Sequence, residues 1–231
     1  MPELQGLGKV VRNSVVGTIR GTGQVFDSVT ETVAHSLVVV LRSVGTVGGA
    51  LSGAVSDVAR GVIHGTREVG GDLGVAAKGT VIGALRGTQQ VAGSALEAIG
   101  SSVENLVKTT AEIGGDVGDA AKQAVEGALL GAKSIGVNAF EAVATAAGAA
   151  VKGAAQAGCD LGAAAKSAVE GAVWGAKDLG VDAAEVAAAA AMGALKAAGD
   201  INAAAMHEVR RAVTGVIGGV SVSPKEPPSR S

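Results

Sequence analysis

The sequence predicts an all-α protein of tandem 22-residue amphipathic helical repeats. Three observations predict this: segments recur at a fixed step, apolar residues within each unit recur at helical spacing, and glycine followed by Ser, Asp or Asn marks the unit ends. DLGVAAKGTVIGALRGTQQVAG begins at Asp72, DVGDAAKQAVEGALLGAKSIGV at Asp116 and DLGAAAKSAVEGAVWGAKDLGV at Asp160, a step of 44 each time. Midway lie SALEAIG from Ser94, NAFEAVA from Asn138 and DAAEVAA from Asp182, so the unit is 22 residues in two alternating flavours. The frame extends to units starting at Gly6, Ser28, Ala50 and Ala204. That gives ten units over residues 6–225, after a lead of residues 1–5 and before a tail, 226–231, whose Pro- and Ser-rich composition reads as disordered.

Within a unit, a stripe of mostly apolar residues runs through positions 2, 6, 10, 13, 17 and 20, with position 14 apolar beside it. Position 6 holds Val11, Val33, Val55, Ala77, Ile99, Ala121, Val143, Ala165, Ala187 and Val209. Position 14 includes Ile63, Leu85, Val107, Leu129, Val151, Val173 and Leu195, the column expected to face lipid or a partner. Steps of three and four make a helical stripe, not strand alternation. Six steps in 22 residues is the period of an 11-residue repeat, about 3.67 per turn. Charges gather opposite the stripe at positions 4, 7, 8, 11, 15, 18 and 19, with Lys78, Lys122, Lys166 and Arg210 at position 7 and Glu104, Glu126 and Glu170 at position 11.

The units are not equal in quality. Residues 6–71 are rich in Val, Thr and Ser, as in SLVVVLRSVGTVGG, and Val and Thr favour strands, so this third is the weakest helix. Residues 72–203 are the most regular.

Glycine is the second signal. A helix-interior glycine costs about 1 kcal/mol against alanine, yet positions 12 and 16 hold Gly83 and Gly87, Gly127 and Gly131, and Gly171 and Gly175. Four apart on one flank, they form a small-xxx-small strip that lets helix backbones approach closely. The competing explanation is that glycine tunes down helicity in a helix formed only on contact. A separate set sits at unit ends: Gly48, Gly70, Gly114, Gly136, Gly158 and Gly180 at position 21, and Gly49, Gly71, Gly93 and Gly115 at position 22. Candidate N-caps follow: Ser28, Asp72, Ser94, Asp116, Asn138, Asp160 and Asp182. Two arrangements fit, namely folded-back helices joined by Gly turns or long kinked helices. The wide apolar face must be covered, which favours folding back.

Composition bounds the function. The 231 residues include 37 Gly but only 2 Phe, 1 Trp and no Tyr, and the apolar share is mostly Ala and Val. A mean hydropathy of +0.40 opposes plain disorder. The net charge of -2 gives no global field for nucleic acid. The longest uncharged run, residues 43–56, is too short and glycine-rich for an ordinary transmembrane helix. The start MPELQGLGKVVRNS has no apolar h-region, which predicts no secretory signal and an intracellular location, cytoplasmic or peripheral to a membrane.

The stretch GVIHGTREVGGDLGVAAKGTVIGALRGTQQVAG, residues 61–93, resembles the 11- and 22-residue amphipathic repeats of α-synuclein, the perilipins and the exchangeable apolipoproteins. The resemblance is one of period and composition over most of the repeat region. It implies a chain that coats phospholipid or neutral-lipid surfaces as long helices. The sequence lacks the prolines that punctuate apolipoproteins, and it is poorer in lysine than α-synuclein. A lesser resemblance is to desiccation-associated late-embryogenesis proteins.

No constellation points to catalysis or to a cofactor. His35, His64 and His207 occupy different repeat positions without paired ligands. Cys159 stands where other units carry Gly or Val and reads as a small packing residue. Asp116 and Asp119 read as caps, and Trp174 as an interfacial anchor or a packed residue at an oligomer contact. No phosphate- or dinucleotide-binding glycine pattern stands out from the repeat. The leading expectation is a non-enzymatic protein coating a lipid surface or storage granule through its Val/Leu/Ala stripe. The alternatives are a self-assembling structural helical bundle packed through the Gly strip, which as a homo-oligomer would pair acidic and basic edges of parallel helices, and a desiccation or stress protectant.

Overall fold

A computed structural model describes residues 4–22, 24–44, 48–90 and 94–223. These form α1 (Leu4–Thr22), α2 (Val25–Val44), α3 (Gly48–Glu68), α4 (Leu73–Gln89), α5 (Ala95–Glu112), α6 (Val117–Ile135), α7 (Ala139–Gln156), α8 (Leu161–Leu179), α9 (Ala183–Ile201) and α10 (Ala203–Ala212), then β1 (Gly215–Ile217) and β2 (Val220–Val222). The tail at 226–231 and Gly93 lie outside the described residues.

From Gly70 to Gly180 the chain folds back at the described unit boundaries, and the residues responsible repeat with the unit. Gly70, Gly114, Gly136, Gly158 and Gly180 all take φ between 64° and 75°. Only glycine adopts this left-handed conformation freely, and it lets the chain curl over the helix end. The next amide then reaches back to the last turn: Gly115 N–H donates to Thr110 O at 2.8 Å, Val137 to Ala132 O at 2.9 Å and Cys159 to Ala154 O at 2.9 Å. One residue later the next helix is capped. Asp72, Asp116 and Asp160 carboxylates accept from Val75, Asp119 and Ala163 N–H at 3.0, 2.9 and 2.7 Å. Ser94, Asn138 and Asp182 cap α5, α7 and α9 in the same way. Asn202, which the repeat frame does not flag, caps α10 through Ala205 N–H.

The helices stack in two layers. Odd-numbered helices pack on odd and even on even, with the most extensive contacts between α4 and α6, α7 and α9, α2 and α4, α6 and α8, and α1 and α3. Sequence neighbours meet across the layers, and that is where the core lies. Every residue at position 6, from Val11 to Val209, is fully buried. Position 10 is equally buried in all ten units: Val15, Leu37, Ala59, Val81, Val103, Val125, Ala147, Val169, Ala191 and Val213. With so much alanine, each helix buries little area per residue, and close approach compensates.

Within residues 6–71, the weakest helix by sequence, α1, α2 and α3 form despite their Val and Thr, because burial of Val29, Val33, Val55 and Val58 in a second core cluster outweighs strand propensity. Two expectations change. Helix boundaries there slide toward the N-terminus: α2 starts at Val25, so Ser28 is a buried residue inside it and not an N-cap, and Gly48 and Gly49 open α3 instead of forming a turn. The last unit is only half helical. Gly215 and Gly219, at positions 12 and 16 of the repeat frame, have φ of 113° and 83° and belong to an antiparallel hairpin turning at Gly218-Gly219. Such a Gly-Gly turn matches strand twist. The hairpin still buries Ile217 and Val222 against the end of the core.

Candidate functional site

Two features of this stack could carry function: the glycine-lined seams between parallel helices, and a groove between α1 and α3.

The position-14 column comes first, because it was expected to meet lipid or a partner. Ile63, Leu85, Val107, Leu129, Val151 and Val173 are 0% exposed and Leu195 is 2% exposed. What they face is the chain's own helices. In this conformation no part of that column is open to a lipid surface, because the opposing layer covers it.

The six strip glycines lie at the seams within each layer. A Cβ added at Gly83 would lie 2.6 Å from Thr30 O, and one at Gly127 would lie 2.8 Å from Lys78 O. At Gly171 it would lie 2.8 Å from the carbonyl carbon of Lys122, with the oxygen closer still. Gly87 faces Ala34 O at 3.1 Å, Gly131 the Leu85 side chain at 2.5 Å and Gly175 that of Leu129 at 3.1 Å. Backbone therefore meets backbone where position 12 of one helix crosses the helix two before it. The crossing partner is 53 residues back for Gly83 but 49 back for Gly127 and Gly171, a slip of one helical turn between the first units and the rest. A slip of four residues keeps the same helix face in contact.

Close approach brings charged side chains together across several of these seams. Lys78 on α4 pairs with Glu126 on α6 at 2.5 Å, with the Glu126 side chain only 6% exposed. Arg12 on α1 pairs with Glu68 on α3, its Nε and Nη2 both donating to Glu68 Oε2 at 2.9 and 2.5 Å. In the repeat frame this joins position 7 to position 19, the acidic and basic edges expected to meet in parallel helices, here within one chain. Lys122 at the next seam lies over the Trp174 ring, 3.7 Å from its centroid. Trp174 is 52% exposed. Cys159 is half-buried against the core. Burial, the neighbouring carboxylates of Asp72 and Asp116, and only partial relief from Lys122 and Gln123 push the Asp119 carboxyl above its ordinary value.

The α1–α3 groove has a volume of about 910 Å³. It is lined by Lys9 and Arg12 on α1 and by Asp57, Arg60, His64 and Arg67 on α3, with Gly8 and Gly61 between them. These side chains occupy the positions read in the sequence as a charged face turned to solvent. What that reading missed is their sign, since Lys9 and Arg60 stand where other units carry Glu. His35 and His207 are exposed elsewhere. Among the described residues no group of His, Cys, Asp and Glu converges as a metal site would, and no helix is long and apolar enough to cross a membrane.

The architecture is that of a helical-repeat protein: short antiparallel helices in two layers, each repeat contacting its neighbours. No family model matches the chain, and no curated protein matches it. Among solved structures it is similar to the de novo designed helical repeat protein DHR7, at 19% identity, covering 74% of this chain and 94% of that one with a TM-score of 0.41.

Proposed function

We propose that this chain is a non-enzymatic structural scaffold, a helical-repeat bundle whose apolar stripe forms its own core. The observation that carries this reading is the burial of the position-14 column by the chain itself. A lipid-coating protein needs that column available, and the same side chains cannot serve both uses at once. The lack of aromatics fits a scaffold packed through glycine and alanine, where close backbone approach replaces large side chains. What remains outside is a polar surface with grooves along the seams, suited to holding partners at fixed spacing.

The test is far-ultraviolet circular dichroism with sedimentation in plain buffer, then with vesicles and with an oil emulsion. A scaffold is helical without lipid, melts cooperatively and keeps its helicity when lipid is added. A chain that is unfolded in buffer and gains helix on vesicles belongs instead with the surface-coating proteins. Sedimentation also reports whether copies associate.

A further inference from the structure

The charged face of the repeat carries acid in most units. Glu31, Glu97, Asp119, Glu141 and Glu185 stand at position 4, and Glu104, Glu126 and Glu170 at position 11. The first and third units reverse this, with Lys9 at position 4 and Arg60 at position 11. Because α1 and α3 are neighbours in one layer, the two reversals meet across a single groove.

The floor of the groove is bare backbone. A Cβ at Gly8 would lie 3.1 Å from Asp57 O, and one at Gly61 would lie 3.2 Å from Gly8 Cα. No side chain fills the crossing, so the walls stand apart as a trough. Lys9, Arg12, Arg60 and Arg67 line it against Asp57 and Glu68, leaving two positive charges in excess on a chain whose net charge is -2. Glu68 holds the Arg12 guanidinium in place. Lys9 and Arg67 make no hydrogen bond or ion pair among the described residues, and Arg60 has only the field of Asp57.

We propose that the groove between α1 and α3 binds a small anion carrying several phosphate groups. Guanidinium forks match phosphate oxygens in pairs, and three arginines around one trough favour a ligand with more than one phosphate. The volume suits a small molecule better than a single phosphate ion. No Phe, Tyr or Trp lines the groove and His64 is the one ring in its lining, so recognition runs chiefly through charge.

The full-length protein is titrated with inorganic tripolyphosphate by calorimetry at low and at physiological salt. Parallel arms use soluble inositol hexakisphosphate and vesicles bearing a phosphorylated inositol headgroup. The expected result is saturable one-to-one binding that weakens with salt and falls on the order of tenfold in Arg60→Gln and again in Arg67→Gln. Both residues are exposed on α3, and unchanged circular dichroism shows that the variants fold. Lys9→Gln gives a third reading from the opposite wall. The double variant Lys152→Gln/Lys196→Gln, in the groove between α5, α7 and α9, retains full affinity. Binding to vesicles alone assigns the phosphate to a lipid headgroup, and binding to the soluble anions assigns it to a free one. The proposal fails if neither binds, or if the Lys152/Lys196 variant weakens binding as much as the Arg60 variant does.

Discussion

Replacing Gly171 with alanine tests why glycine occupies helix interiors here. Two opposing effects follow. Alanine is the better helix former by about 1 kcal/mol, so the isolated helix gains. At Gly171 the new Cβ would lie 2.8 Å from the Lys122 carbonyl carbon and 3.0 Å from its Cα. Those atoms are helix backbone, which cannot rotate aside, so α8 must lift away from α6 along the whole seam. Overpacking of this kind costs typically 1–3 kcal/mol, and rigid backbone puts this site at the upper end. The net expectation is destabilisation by about 2 kcal/mol, or roughly 4–8 °C in Tm for a chain of this size. Gly53→Ala is the matched control: it lies inside α3, a Cβ there meets nothing within 4 Å, and the propensity gain of about 1 kcal/mol should appear undiminished. Urea and thermal denaturation of both variants, followed by circular dichroism, read the two signs. If Gly171→Ala stabilises as much as Gly53→Ala, the strip glycines set helix weakness and not helix approach.

Other changes test single links of the same structure. Gly136→Ala forces a Cβ into φ of 75° at the end of α6 and should cost roughly 1–2 kcal/mol by denaturation, although open space surrounds the site. Asp160→Ala removes the cap accepting from Ala163 N–H and should cost about 1 kcal/mol, with Asp160→Asn recovering most of it. Thr110 Oγ1 is buried without a hydrogen-bond partner, at the position where later units carry Ala132, Ala154 and Ala176; Thr110→Val should therefore raise stability by about 1 kcal/mol. Asp119 has a folded-state pKa above its ordinary 3.8, so the folded chain binds that proton more tightly than the unfolded chain, and the stability from this group falls as pH rises through the window from 3.8 to the folded value. Asp119→Asn should accordingly stabilise the protein at neutral pH and lose that advantage in acid, as measured by melts across pH.

The period, the buried face and the helix caps from Asp72 to Asp182 are legible in the chain alone. Glycine at Gly114 or Gly158 and a cap at Asp116 or Asp160 act through backbone within a few residues, so local chemistry is enough to place them. The columns through Val143 and Leu129 were legible because only one face of an amphipathic helix can be apolar and buried. Tertiary structure decided what covers that face. Periodicity records that a surface is apolar but not whether lipid, another copy or the chain itself lies against it, since all three remove it from water. It also decided the one-turn slip at Gly83, because a shift of four residues leaves the facing side chains equivalent. The hairpin at Gly218-Gly219 packs Ile217 and Val222 onto the core in place of a full helical unit, and the groove between Lys9 and Arg60 exists because residues about fifty apart in sequence share one seam. The sign of those charges was readable in the chain, but their meeting depended on which helix packs beside which.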